Sequence, residues 1–182
     1  MGKIYFTGCT HYGHKNVLHL SNRPFSDIEQ HNDTLIDNYN KIVSNNDTCY
    51  FLGDFCWNQS FESYKSIFNR LNGKKFFIIG NHDNKQNLIK CKKEGLIIDL
   101  FESKTLQIGK DRVFLSHFPY REWNGFYRNA YHLYCHCHGN IDDYKQSTDI
   151  GVDCWEYEPV SWEEVKQYID ENCEPNVIEG RY

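Results

Sequence analysis

The sequence has no long apolar run and no secretory leader. None of its 182 residues belongs to a stretch near the roughly 20 apolar residues that cross a bilayer. Met1-Gly2-Lys3 leads directly into a short apolar segment instead of a signal peptide. Eight cysteines in a chain of this length do not match a small disulfide-rich secreted domain. We therefore expect a cytoplasmic protein with reduced thiols and no membrane partner.

The sequence also lacks a basic tract, a linker, an internal repeat and a low-complexity segment. Its formal net charge is -5 and its pI is about 6.0, so no overall attraction draws it to nucleic acid. Long nucleic acid is therefore a disfavoured partner. The hydrophobic content of 40% and aromatic content of 16% are enough for an ordered core. We predict a single domain over residues 1–182.

Short apolar runs alternate with segments of helical periodicity. Buried strands are predicted at Lys3 to Gly8, Thr48 to Leu52, Lys74 to Ile79 and Arg112 to Leu115. Helices are predicted at Asp27 to Ser44, Phe61 to Leu71, Asn84 to Glu94 and Ser161 to Asn172, the last with a Ser161–Glu164 capping box. The other predicted strands are Ile97 to Ile108, paired as a hairpin with Arg112 to His117, then Ala130 to His138 and Thr148 to Asp153. This order predicts an α/β layered fold whose strand ends converge on one site.

Metal-binding residue types follow the predicted strands. Cys9 and His11 are two residues apart, so on an extended segment their side chains would point the same way. Asp54 follows the second strand, where a carboxylate can bridge two cations. Two divalent cations about 3.5–4 Å apart can activate water and stabilise both reacting oxygens of a phosphoester. Further imidazoles stand at His117, His136 and His138.

The block Gly80-Asn81-His82-Asp83 is the most specific of the series. It places an amide oxygen, an imidazole and a carboxylate directly after a predicted strand. Asn81 can bind a metal through its side-chain oxygen, and His82 can face a phosphate as a proton donor. Asp83 can orient the His82 imidazole. A Gly-Asn turn with a capping Asp is the plainer interpretation.

Each remaining block has a plainer interpretation when it is taken alone. Cys9 and His11 can be a buried cysteine beside a turn histidine, and Gly53-Asp54 can be an ordinary turn. A structural zinc site built from Cys135 and Cys137 is a rival interpretation. It needs a second Cys or His pair at suitable spacing, and none follows.

Together the blocks resemble those of the calcineurin-like metallophosphoesterase superfamily, which read D-x-H, G-D, G-N-H-[DE], H and G-H-x-H. The resemblance covers nearly the whole chain, and residues 10–16, 23–25, 151–153 and 159–161 are similar to a small phage and bacterial branch. It implies a four-layered α/β sandwich of mixed sheets flanked by helices. It also implies that His82 contacts the phosphate and protonates the leaving oxygen. One metal would be held by Cys9, His11, Asp54 and His138, and the other by Asp54, Asn81, His117 and His136.

Two residues depart from the pattern of the superfamily. Cys9 stands in place of the usual Asp, and Cys135 in place of the Gly that begins the last block. The thiolate of Cys9 favours iron or zinc over magnesium. We therefore expect two divalent or trivalent metal ions, drawn from manganese, iron and zinc.

The resemblance favours a phosphodiesterase that acts on a nucleotide or another small phosphorylated substrate. The residues after Asp54 lack the Val-Asp-Arg-Gly run of protein Ser/Thr phosphatases, and Asp83 replaces Glu. His14 and Arg121 can hold phosphate oxygens. The alternatives are a phosphomonoesterase, or a metallophosphoesterase-like binding module that has lost catalysis at Cys9.

Overall fold

The computed structural model describes residues 2–57 and 60–176, and a five-stranded mixed sheet lies at the centre of this part. Near-continuous apolar runs form its inner strands, which are buried on both faces. Strands β1 to β4 are parallel, and β9 pairs with β1 in the antiparallel sense. In spatial order the strands are β4 (Asp99–Phe101), β3 (Lys74–Ile78), β2 (Thr48–Phe51), β1 (Ile4–Thr7) and β9 (Val160–Ser161).

A second mixed sheet of four strands packs against the first. Its strands are β5 (Ser103–Ile108), β6 (Asp111–Ser116), β7 (Tyr131–Tyr134) and β8 (Ser147–Asp149), in this spatial order. The predicted hairpin forms between β5 and β6, and it turns at Gly109, whose φ is +57°. Strands β6, β7 and β8 are parallel, so their carboxyl ends meet at one edge.

Five α-helices are present in the described ranges, and four of them begin at a side-chain cap. Asp27, Ser60, Asn84 and Ser161 each accept a hydrogen bond from the backbone amide three residues later. The predicted capping box of Ser161 and Glu164 is complete. The helices are α1 (Val17–Leu20), α2 (Ile28–Ile42), α3 (Phe61–Arg70), α4 (Lys85–Lys93) and α5 (Trp162–Asn172).

These elements form the predicted layered α/β sandwich. One apolar cluster joins α2, α3 and α4 to the outer face of the first sheet, through residues such as Leu35, Phe68 and Leu88. A second cluster fills the space between the sheets, and α5 contributes Val165 and Ile169 to it. The outer face of the second sheet is covered by a small aromatic cluster from the segment between β6 and β7.

The structure corrects several predicted boundaries. The predicted strand from Ile97 to Ile108 is two strands, because β4 pairs with β3 in the first sheet whereas β5 pairs with β6 in the second. The predicted strand from Ala130 to His138 ends at Tyr134, and the one from Thr148 to Asp153 ends at Asp149. Helix α1 and strand β9 were not predicted, since four and two residues are too short to show a periodicity.

No helix within residues 2–57 and 60–176 is long and apolar enough to cross a membrane. The predicted single domain extends to residues 1 and 182, which lie outside the described ranges, so its boundaries stay a prediction.

Candidate metal centre

The loops after β1, β2, β3, β6 and β7 converge at one edge of the sandwich. The first two are joined by backbone hydrogen bonds from Cys9 N to Gly53 O and from His11 N to Asp54 O, both 2.9 Å long. Several of the predicted ligands have left-handed backbone conformations, which non-glycine residues seldom adopt and which concentrate at functional sites. Their φ angles are 50° at Cys9, 52° at His11, 54° at Asp54, 74° at His136 and 50° at His138.

Six of the predicted ligands form two groups of metal-binding atoms. The first group contains Cys9, His11 and His138, and within it the ligand atoms lie within 4.8 Å of one another. The second group contains Asp54, His117 and His136 at the same spacing. This grouping agrees with the division into two sites that the family resemblance implies, although the ligand roles themselves stay predictions.

Asp54 lies between the two groups. Its Oδ2 is 3.7 Å from His11 Nε2 and 3.4 Å from His117 Nε2. Its Oδ1 accepts a hydrogen bond of 2.9 Å from the backbone amide of His82. Burial raises the pKa of Asp54, but hydrogen bonding and charge from His117 outweigh burial and lower that pKa to about 2. A carboxylate with one oxygen facing both groups is suited to bridging two cations.

His117 is oriented by the backbone of the neighbouring sheet. Its Nδ1 is 2.8 Å from Leu52 O, and because a carbonyl can only accept, Nδ1 carries the proton. Nε2 is therefore the nitrogen that faces the other predicted ligands and could bind a metal. This atom lies 2.8 Å from Asn81 Oδ1 and 3.2 Å from His136 Nδ1. Asn81, the predicted ligand that is absent from the second group above, therefore also lies at this site.

The Cys9 side chain is fully buried at the floor of the site. Its Sγ accepts a hydrogen bond of 2.9 Å from the backbone amide of His136. Burial raises the pKa of this thiol, but interaction with the neighbouring Cys135, His11 and His138 side chains outweighs burial and lowers the pKa well below its usual value. A lowered pKa favours the thiolate, which is the form that binds metals.

The left-handed loop, and not the predicted extended segment, brings Cys9 and His11 together. Strand β1 ends at Thr7, and both residues have positive φ angles. The prediction that Cys9 and His11 lie together is correct, but the side-chain alternation of a strand is not the cause. The same correction applies to His136 and His138, which follow the end of β7 at Tyr134.

Asp153 and Arg23 support the first group, and sequence reasoning assigned neither a role. Asp153 Oδ2 is 2.6 Å from His138 Nδ1, which fixes the ring and leaves Nε2 for a metal. Arg23 donates two hydrogen bonds to the Asp153 carboxylate, at 2.8 and 2.7 Å. It also donates to Cys9 O at 2.7 Å and to Thr10 O at 3.0 Å. A single Arg and a single Asp 130 positions apart carry no spacing signal in the sequence.

His11 provides the test of whether a metal fits. The residue is buried, and neither Nδ1 nor Nε2 has a hydrogen-bond partner within the described ranges. A buried imidazole that is left unsatisfied is unfavourable, and metal coordination by one of its nitrogens relieves part of this loss. Thiolate, imidazole, carboxylate and amide donors together fit iron, zinc or manganese.

His82 lies at the open side of the site. Its side chain is exposed, and its ring centroid is 4.6 Å from that of Trp57 and 5.8 Å from that of His11. His14, a predicted phosphate contact, stacks on Trp57 at 4.2 Å, and burial lowers its pKa to about 4. His82 is thus open to a substrate, and His14 is neutral at pH 7.

Two other predicted residues make contacts that the sequence did not suggest. Asp83 accepts hydrogen bonds from the backbone amides of Gly80, Asp54 and Phe55 at 2.8 to 2.9 Å, so its carboxylate holds two loops together. Arg121 places its guanidinium 4.0 Å from the centroid of the Tyr144 ring. Within the described part of the chain, no hydrogen bond or ring contact links Arg121 to the predicted ligands.

The rival zinc site of Cys135 and Cys137 is not assembled. Cys135 Sγ donates to Leu52 O at 2.9 Å, and Cys137 belongs to none of the potential metal groups in residues 2–57 and 60–176. Cys135 does lie in a buried group with Cys9 and His117. Cys135, which stands in place of the usual Gly, therefore lies beside Cys9, which stands in place of the usual Asp.

Comparison with known proteins agrees with this geometry. The sequence profile of the calcineurin-like phosphoesterase family matches residues 2–176. An uncharacterized protein of Methanocaldococcus jannaschii is 29% identical over 178 residues, which cover 93% of each chain. The gene 66 protein of Mycobacterium phage L5 is 32% identical over 139 residues, which cover 66% of this chain and 65% of that protein.

The fold is also that of a solved structure, a protein of unknown function from Aquifex aeolicus. It superposes with a TM-score of 0.72 at 22% identity, over 92% of this chain and 99% of that one. The profile match spans all six residues that build the two ligand groups. The chain therefore belongs to the calcineurin-like phosphoesterase family, and it is a metal-dependent phosphoesterase.

Proposed function

We propose that the protein is a dinuclear phosphodiesterase that acts on a nucleotide or another small phosphodiester. The observation that carries the proposal is the position of Asp54 Oδ2, which faces His11 of one ligand group and His117 of the other. A single carboxylate oxygen between two sets of donors is suited to bridging two adjacent cations.

The residues of the two groups would hold one metal ion each. Cys9, His11 and His138 would hold the first, with iron or zinc favoured by the thiolate. Asn81, His117 and His136 would hold the second, with Asp54 shared between the two, and this site of oxygen and nitrogen donors suits manganese as well. When bound, two such ions would activate a water molecule and neutralise the phosphate oxygens.

His82 is the residue that would protonate the leaving oxygen. Its imidazole is exposed beside the ligand groups, while its backbone amide is fixed by Asp54 Oδ1. The ring is therefore near the centre but keeps the freedom to meet a substrate. Trp57 packs beside it and limits the orientations that it can take. A general acid in this position contributes roughly 10²–10⁴-fold to the rate.

The charge around the site favours a diester over a monoester. Within the described ranges, Arg23 is the one arginine hydrogen-bonded to a ligand loop, and it is buried and paired with Asp153. His14 is neutral at pH 7, since burial lowers its pKa to about 4. The protein thus offers few cationic groups of its own, and a monoanionic diester needs less compensation than a dianionic monoester.

Hydrolysis of chromogenic esters tests the proposal. Protein stripped of metal and reloaded with manganese, iron or zinc is supplied with bis(p-nitrophenyl) phosphate and, separately, with p-nitrophenyl phosphate. We expect metal-dependent turnover with a higher kcat/KM for the diester. Asp33→Asn, which alters an exposed carboxylate paired with Arg70, is the control and keeps full activity. A preference for the monoester would show a phosphomonoesterase, and no turnover with any metal would show a binding module.

A further inference from the structure

Phe118 holds an exposed aromatic ring against the second ligand group. Its ring centroid is 4.5 Å from that of His136 and 4.9 Å from that of His117, and 45% of the residue is exposed. A single exposed aromatic residue is common on a protein surface. This one is distinguished by its position, since it touches two predicted metal ligands and still presents half of its surface to solvent.

A buried chain of hydrogen bonds fixes the backbone of Phe118. Ser116 Oγ donates to Phe118 O at 2.7 Å, so its lone pair is free to accept from His132 Nε2, also at 2.7 Å. His132 Nδ1 then accepts from Ser147 Oγ at 2.9 Å. All three side chains are buried. The backbone that carries the exposed ring is therefore anchored to the second sheet in the absence of any substrate.

A second aromatic residue near the site, Trp57, has different contacts. Trp57 stacks one face on His14 at 4.2 Å and meets His82 at 4.6 Å, so its contacts serve the side chain that would donate the proton. Phe118 makes no contact of this kind with His82 in the described part of the chain. The two rings thus lie beside different residues of the site, with Trp57 near the proton donor and Phe118 near His136.

We propose that Phe118 stacks on the nucleobase of the substrate, which makes the substrate a nucleoside-bearing phosphodiester. The inference rests on the proposed phosphodiesterase function. Because Phe118 packs on His117 and His136, and no ring contact joins it to His82 in the described part of the chain, we place the base that it meets on the substituent that stays on phosphorus. A phenyl ring has no hydrogen-bonding group with which to read a base edge, and every base has a π-face. The site should therefore accept different bases with similar efficiency.

Three esters with the same p-nitrophenolate leaving group test this. They are thymidine 5′-(p-nitrophenyl phosphate), its tetrahydrofuran abasic analogue, and methyl p-nitrophenyl phosphate. We expect the wild-type protein to have its highest kcat/KM on the thymidine ester. Phe118→Ala should lower the ratio of thymidine to abasic kcat/KM roughly 5- to 150-fold, the range that corresponds to loss of one base–aromatic stack. Phe118→Trp should keep that ratio, and Phe118→Leu should lower it.

Tyr120 provides the matched control. It lies on the same loop and is 47% exposed, but its ring packs on Phe114 and His132 and not on the predicted ligands. Tyr120→Ala should leave the ratio unchanged. An equal loss on all three esters in Phe118→Ala would overturn the proposal, because it would show that the ring only supports His117 and His136. A wild-type protein that does not distinguish the thymidine ester from the abasic ester would also overturn it.

Binding separates this inference from the proposed function. Calorimetry of metal-loaded protein compares thymidine 5′-phosphate with the 5-phosphate of the abasic analogue, in the wild type and in Phe118→Ala. Tighter binding of the nucleotide that disappears in Phe118→Ala, without turnover of any ester, would refute the phosphodiesterase and keep the stacking site. Turnover of the methyl ester together with equal binding of both phosphates would keep the phosphodiesterase and refute the stacking site.

Discussion

The carboxylate of Asp153 lies 2.6 Å from Nδ1 of His138 and receives two hydrogen bonds from the buried guanidinium of Arg23. This contact couples a predicted metal ligand to a residue that also binds the carbonyls of Cys9 and Thr10. Arg23 and Asp153 thus hold the first ligand group from outside, and they set the ring orientation of His138. The group is preorganised before a metal arrives.

Replacement of Asp153 by Asn should weaken metal binding at the first group. An amide cannot hold the His138 ring as a carboxylate does, and loss of such a partner lowers metal affinity roughly 10–100-fold. Competition titration with a chromogenic chelator measures the two affinities. We expect the weaker binding at one site per chain, with the other unchanged. Asp33→Asn is the control. Unchanged metal affinity in Asp153→Asn would contradict the role of Asp153 in orienting His138.

Replacement of Arg23 by Met should destabilise the metal-free protein. The substitution leaves the buried Asp153 carboxylate without its guanidinium partner, which typically lowers the free energy of unfolding by about 3–5 kcal/mol. Arg70→Met breaks a pair whose side chains are 47% and 63% exposed, so its effect should be below about 1 kcal/mol. Urea denaturation in the presence of a chelator measures both. Equal effects of the two substitutions would contradict the structural role of Arg23.

Substitutions of Cys9 should change the metal that the first site prefers. Cys9→Asp replaces sulfur with oxygen, so the bound metal should shift from iron or zinc toward manganese while hydrolysis is kept. Cys9→Ala should weaken one site only. Elemental analysis of purified protein reads both results. Cys49→Ala removes another fully buried thiol and should leave the metals unchanged. The same metal content and turnover in wild type and Cys9→Ala would make Cys9 a structural cysteine.

Acid should destabilise the protein partly through His132. Burial lowers its pKa from about 6.5 to about 3 in the folded state, so between these values the unfolded chain binds the extra proton. The contribution of this group to stability is complete above pH 6.5 and is lost as pH falls toward 3. The slope is on the order of 1 kcal/mol per pH unit. Urea denaturation at pH 7.5 and 5 should show a shallower pH dependence in His132→Gln, and an unchanged slope would contradict the prediction.

The layered fold followed from the sequence because apolar periodicity reports burial. The runs at 48–52 and 74–79 became β2 and β3, and the periodic segment at 27–44 became α2. The division of 97–108 between two sheets was not predictable, since both halves have the same strand-like composition and differ only in their partners. Apolar periodicity predicts which face of a strand is buried, but it does not predict which other strand pairs with it.

The residues of the site that belong to short motifs of neighbouring residues were the easiest to predict from the sequence. The blocks around His11, Asp54, His82 and His138 were read directly, and the structure brings them to one edge. The left-handed backbone at His11, Asp54 and His138 was not predicted, because no side-chain pattern encodes it. Asp153 was missed for a different reason, since its contacts with Arg23 and His138 depend on the folded chain alone.

One measurement on His82→Ala tests directly whether the protein has a two-metal site in which His82 donates a proton and binds no metal. Metal content and turnover of bis(p-nitrophenyl) phosphate are determined on the same preparation, beside the wild type. We predict two ions per chain in both proteins and a kcat that falls roughly 10²–10⁴-fold in the variant. Loss of metal in parallel with activity would make His82 a ligand, and two ions with full activity would remove it from the mechanism.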